Sequence, residues 1–271
     1  MTLSPYDLLL NSCCDSIDND IDDALNCIEK LCQEPQLHAA AKKYALFLHA
    51  DCLREIWVGE EHLPDTVETT EFVDSIIEEA PLPKPKWCTE DQFQSLYNLC
   101  SACEFTSTLN SGHLDLDTVL KIHSLIGKDL IQGAGTIRTI DVMPFQSANM
   151  YLTHHEVPKR LSQLLQWVIM RMKSISDDVS SAVRVTTVFF AHFLQIHPFV
   201  DGNGRTAQLL VTVLMGKLVP TPFSVVSPKL HPKLVNELEH SQMFNRFSGL
   251  ASIIVSSILT YCSNLKWIDG Y

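Results

Sequence analysis

The chain has 271 residues, 46% hydrophobic and 19% charged, which excludes a disordered polymer and supplies apolar side chains for a sizeable core. Its net charge of −12 resides in residues 1–89, where 18 Asp and Glu face 6 Lys and Arg; the rest of the chain balances at 14 of each sign. An acidic front third disfavours nucleic acid and anionic membrane as partners, and nine irregularly spaced cysteines read as reduced thiols of a cytoplasmic or nuclear protein.

Taken in order, the chain reads as mostly helical. No signal-peptide pattern opens it, and no apolar run approaches the ~20 residues of a membrane span. Ser16 and Asp18 are read as caps of a helix running to about residue 32, and a second helix is expected over about 36–57. Gly59 to Pro64 is read as its break. The stretch PLPKPK (81–86) is a stiff linker, because its prolines fix φ and lack backbone donors. The expected organisation is therefore an acidic helical segment over 1–86 and a second unit over 87–271.

After the linker, Thr89-Glu90-Asp91-Gln92 has the form of a capping box, followed by a helix with Phe93, Leu96, Tyr97, Cys100 and Cys103 facing inward. The single Cys-x-x-Cys has no second pair, so both thiols read as core residues and not as zinc ligands. Further helices are expected over about 116–130, 157–174, 178–195, 204–218, 232–242 and 247–265. Between the first two of these, Gly133-Ala-Gly135 opens TIRTIDVMPFQSAN, whose Thr, Ile and Val residues predict a short β-hairpin. His192 lies in an apolar run and reads as a core residue; His154 and His155 read as solvated.

The chemistry concentrates in HPFVDGNGRTAQLL, residues 197–210. A loop that ends at a helix N-terminus offers free amides and the positive end of a dipole, which together bind anions. Gly202 and Gly204 let the backbone turn its amides toward a phosphate. Arg205 adds a charged fork suited to phosphate oxygens. Asp201 can hold a hard cation such as Mg²⁺, and His197 can act as a general base near neutral pH. A base, a metal ligand and an anion cradle describe phosphate-ester chemistry.

HPFVDGNGR resembles the signature of the Fic-domain family, His-x-Phe-x-Asp/Glu-Gly-Asn-Gly-Arg-x-x-Arg between two helices. GTIRTIDVM looks like the family's flap, and HHEVPKRLSQLLQWV and VTTVFFAHFLQIHPF resemble the helices that follow the flap and lead into the loop. The resemblance covers roughly residues 90–265. It implies a mainly α-helical Fic-like domain with one β-hairpin flap, preceded by the acidic helical segment. It further implies transfer of AMP from ATP to a protein Ser, Thr or Tyr hydroxyl, with Mg²⁺.

By the same resemblance, His197 deprotonates the target hydroxyl and Phe199 anchors the loop. Asp201 binds Mg²⁺, and Gly202, Asn203, Gly204, Arg205 and Gln208 hold the nucleotide. Thr136, Arg138, Ile140 and Val142 belong to the flap that holds the target protein as an extended segment. A homodimer is compatible with this reading, which includes neither nucleic acid nor membrane.

Three departures from the family pattern stand out. Gln208 takes the place of the second arginine and loses a full charge. No Glu is followed by Gly or Asn, so the family's inhibitory motif, Ser/Thr-x-x-x-Glu-Gly/Asn, is not recognisable; the nearest look-alike is EIWVGEEHLPDTVET (55–69). The adjacent tyrosines that the family places near adenosine are missing from PKLVNELEH. Two alternatives therefore accompany AMP transfer: the same fold using another nucleotide or phosphodiester donor, and a degenerate, non-catalytic peptide-binding module.

Overall fold

A computed structural model describes residues 4–18, 21–143, 151–175, 178–216, 218–220, 222–225 and 231–270. Its helices are α1 (Pro5–Asp15), α2 (Asp22–Cys32), α3 (Pro35–Lys43), α4 (Ala45–Glu61), α5 (Val67–Ile77), α6 (Glu90–Ser107), α7 (Leu116–Ile126), α8 (Val157–Ser174), α9 (Val179–Ile196), α10 (Asn203–Met215), α11 (His231–Phe244) and α12 (Ser248–Asp269).

The apolar helix α9 is the axis of the fold. Its phenylalanines Phe189, Phe190 and Phe193 are at most 1% exposed, and α1, α2, α8, α10, α11 and α12 pack around it. By length and composition α9 and α12 could each span a membrane, but 72% of the α9 span is buried inside the fold. Helix α10 lies against α9 on one side and meets α4, α6 and α7 on the others, so the start of α10 is enclosed by four helices. The buried apolar residues form one cluster that includes both the acidic N-terminal helices and those after the proline-rich stretch. Across that stretch, the Trp57 indole N–H donates to the Gln92 carbonyl at 3.0 Å.

Local chemistry explains most boundaries. Thr89 and Gln92 form the expected capping box at α6, closing two amides that the helix leaves open. Asp115 and Asp178 cap α7 and α9 more simply, each carboxylate accepting one amide N–H, from Thr118 and Ser181. The helix expected to start near residue 18 starts at Asp22 instead, and Asp18 uses its N–H on Ser248. The helix expected over about 36–57 is two helices, α3 and α4, separated at Tyr44. Gly59 does not break α4: it is buried, and close packing offsets the roughly 1 kcal/mol that glycine costs a helix. The helix therefore continues to Glu61, which matters for the site.

The expected β-hairpin is not formed by residues 136–143, and no strand occurs among the described residues; the remainder of that segment, 144–150, lies outside them. The physical reason is visible at Arg138. Its buried guanidinium takes up the carbonyls of Ile140 (2.8 Å) and Leu152, and its own N–H donates to Pro198 O at 2.9 Å. Backbone groups that a ladder would need are paired with one side chain and a loop.

Candidate active site

Helix α9 ends in an unusual conformation. His197 has φ 48° and ψ 65°, a left-handed geometry that a side-chain-bearing residue adopts only at an energetic cost. Its N–H still closes the helix on Phe193 O at 3.0 Å, while the imidazole turns so that Nδ1–H donates to Leu194 O at 3.3 Å. A carbonyl can only accept, so the proton sits on Nδ1 and Nε2 carries the basic lone pair. Tyr151 lies flat on this ring, with centroids 3.8 Å apart and planes within 12°. Burial pushes the His197 pKa down to about 4, so the base form prevails at neutral pH.

The loop after His197 is held from inside. Phe199 is fully buried and stacks on His123 with centroids 3.6 Å apart. Asn203 accepts from Phe199 N–H and donates to Phe199 O, each at 3.0 Å. Both ends of the Asn203 side-chain amide are thus committed to the loop, which gives this residue a bracing role.

His123, which the sequence reading passed over, is the second brace. Its Nδ1 accepts from Gly135 N–H and its Nε2 donates to Asp201 O, both at 2.9 Å. These opposite demands fix one neutral tautomer, and burial lowers its pKa further from the charged form. One imidazole therefore ties α7, the start of the flap segment and the His197 loop together.

At the mouth of α10, Gly202 has φ +74° and caps the helix. The first amide bond of α10 runs from Thr206 N to Gly202 O at 3.0 Å, so the amides of residues 203–205 precede any partner within the helix. Asp201 is 70% exposed there. One of its oxygens accepts from Gly202 N–H at 2.6 Å, and the other lies 3.8 Å from Arg205 Nη2. An exposed hard-oxygen donor beside a phosphate nest fits Mg²⁺, which takes one or two carboxylates and completes its shell with phosphate and water. Among the described residues no cluster of three or more His, Cys, Asp or Glu side chains could hold a metal ion.

The nest is not open. The last two residues of α4 reach into it. The Glu60 carboxylate fills the space that a Cβ on Gly204 would take. Burial raises its pKa to about 7, with Asp201 and Glu61 adding to the rise and Arg205 opposing it. Glu61 accepts from Arg205 Nη1 at 3.0 Å and from Ser95 Oγ at 2.7 Å, and Arg205 also donates to Ser95 Oγ at 2.8 Å. Acidic residues at a helix C-terminus oppose their own dipole, and here the positive end of α10 offsets that opposition. The fold thus delivers two carboxylates to the start of α10.

Gln208 stands elsewhere. It is 1% exposed, and its Oε1 accepts from Val225 N–H at 2.9 Å. Its side chain braces the segment after α10 through this oxygen. Of the flap residues, Thr136 closes a turn on Gly133 O, at 3.0 Å from its N–H and 2.5 Å from its hydroxyl. Arg138 is 3% exposed and donates from Nε to His197 O at 2.7 Å. It supports the loop from behind. Ile140 is 57% exposed and Val142 half-buried, so these two can meet a partner.

Residues 113–215 match the model of the Fic/DOC family. The chain carries a Fic domain. It is 25% identical over 118 residues to protein adenylyltransferase VbhT of Bartonella schoenbuchensis, covering 44% of this chain and 24% of that protein. It is 29% identical over 114 residues to protein adenylyltransferase fic-1 of Caenorhabditis briggsae, covering 40% and 21%. The matched region spans about a quarter of the length of these curated relatives. A solved structure of Fic-1 from C. elegans superimposes with a TM-score of 0.72 at 16% identity, covering 92% of this chain and 72% of that one. The likeness in fold thus extends over most of the chain.

Proposed function

We propose that this chain transfers AMP from ATP to a Ser, Thr or Tyr hydroxyl of a protein target, and that the α4 glutamates hold the site closed. The observation that carries the reading is the pairing of His197, with Nε2 basic, and the anion nest at the start of α10. The target oxygen attacks the α-phosphorus, pyrophosphate leaves, and the hydroxyl proton passes to His197 Nε2. Asp201 would hold Mg²⁺, which neutralises charge on the phosphates. The exposed flap residues near Ile140 receive the target as an extended segment, and the work is that of a cytoplasmic protein.

Glu60 opposes a phosphate at the start of α10, because its carboxylate is an anion packed against Gly204. ATP therefore binds better when the end of α4 moves or Glu60 takes a proton. A second reading, a peptide-binding module without turnover, draws on the commitment of Arg205 to Glu61 and of Gln208 to Val225. A third keeps His197 but uses another nucleotide or phosphodiester donor, and draws on the lost charge at Gln208. Incubation with ATP labelled at the α- or γ-phosphate separates them. AMP transfer predicts covalent α-label only, lost in His197→Ala. No label from ATP but label from another donor supports the third reading, and no label at all supports the second.

A further inference from the structure

The acidic N-terminal helices do more than approach the nest: on their outer side they frame a groove. Two adjoining cavities of about 410 Å³ each lie between α4, α5 and the middle of α6, sharing Leu46 and Ile77 as a common wall. Four features of this groove point the same way. Its apolar side chains are unusually open, with Leu46 68% exposed, Phe47 48% and Tyr97 37%. Isolated exposed apolar residues are ordinary, but a contiguous set over a concave surface marks a binding site. Its rim is acidic, carrying Glu78 and Glu79 at the end of α5 and Glu104 on α6.

The positive charges nearby are few and partly used. Lys42 and Lys43 stand at one end only, and Lys43 is bonded to Asp269 at 2.7 Å. Asp74 lines the first cavity, and burial, with Glu78 and Asp51 adding and Arg54 opposing, raises its pKa. The whole segment over 1–89 carries all of the chain's net charge.

We infer that this groove docks a basic amphipathic helix of a partner protein, its apolar stripe on Leu46, Ile77 and Tyr97 and its Lys or Arg residues against Glu79 and Glu104. An amphipathic helix presents anchors at i, i+3, i+4 and i+7, which suits a trough between helices. The α6 wall runs from Tyr97 to Ser107, roughly 15 Å at 1.5 Å per residue, so an occupant of about three turns fills it. Charge complementarity selects the basic partner over an acidic one and steers its approach. This inference does not depend on the reaction proposed for His197.

The probe is a fluorescent 18-residue peptide of leucine and lysine, with leucine at helical spacing. The same pattern with glutamate in place of lysine is the counter-probe. Fluorescence anisotropy with the full chain should give saturable one-to-one binding of the lysine peptide and none of the glutamate peptide. Leu46→Asp, at an exposed position, and the pair Glu79→Lys with Glu104→Lys should each weaken binding by about tenfold or more. The pair Asp23→Lys with Asp117→Lys reverses the same charge away from the groove and should leave binding within about twofold. Equal loss in both pairs would mean nonspecific attraction to net charge and overturn the inference. Absence of binding would overturn it too. So would sedimentation showing a dimer of this chain that Leu46→Asp dissolves, because the groove would then belong to a second copy.

Discussion

The carboxylate of Glu60 rests against Gly204, in the place that a Cβ on that residue would take. A side chain at position 204 would collide with it, so glycine here admits the glutamate to the start of α10. The neighbouring Arg205–Glu61 bond at 3.0 Å completes the closure by occupying the charged fork.

Removal of this carboxylate should open the site. Glu60→Gln keeps the volume and deletes the charge, and should tighten Mg²⁺–ATP binding by about tenfold, or ~1.4 kcal/mol. Glu60→Gly should tighten it further, because the volume is freed as well. Calorimetric titration measures both, and affinities equal to the parent's would remove the closing role.

The same residue sets a pH dependence of stability. Its folded pKa is raised to about 7, above the usual carboxylate value of 4.5, so the folded state binds the proton more tightly than the unfolded state does. Stability is therefore lost as pH rises through the interval from about 4.5 to about 7. Glu60→Gln should stabilise the fold at pH 8 by roughly 1–3 kcal/mol, seen as a higher unfolding temperature, and change little at pH 4. Thermal scans at the two pH values check the sign.

Tyr151 should govern the proton affinity of His197. Stacking at 3.8 Å contributes to the burial that holds the imidazole near a pKa of 4. Tyr151→Ala uncovers one face and should move that pKa up toward the ordinary value of about 6.5, whereas Tyr151→Phe keeps the stack and the low value. Histidine NMR titration reads this without any assay of activity.

Arg138 should matter for stability before it matters for the target. Its guanidinium serves the carbonyls of Ile140, Leu152, Ile196 and His197. Arg138→Ala leaves them without this donor at roughly 1–3 kcal/mol for each that stays buried and unmet, so a total loss of about 3 kcal/mol or more is expected in urea unfolding. A variant as stable as the parent would return Arg138 to the role of a target contact.

The site was legible in the sequence to the extent that its chemistry is contiguous. HPFVDGNGR announces a base, a carboxylate and a glycine turn at a helix mouth, and the structure places them so. Roles that depend on where a side chain turns were not legible. Asn203 and Gln208 carry amides that suit a nucleotide equally well, and only the fold shows them bonded to Phe199 and to Val225. His123 lies 74 residues before His197 in an ordinary helix, and the faint signal for it was a histidine facing the apolar side of α7. Glu60 and Glu61 were hidden by Gly59, which reads as a helix breaker and marked the wrong end for α4. The capping box at Thr89 was readable because both partners lie within one turn.

The most direct measurement of the account is label transfer by three proteins given Mg²⁺ and ATP labelled at the α-phosphate: the parent, Glu60→Gly, and Glu60→Gly with His197→Ala. A site closed by Glu60 and run by His197 predicts slow labelling by the parent. Labelling should be about tenfold or more faster once Glu60 is gone and lost by a factor of roughly 10²–10⁴ when His197 is removed as well. Equal labelling by all three proteins, or none by Glu60→Gly, would contradict it.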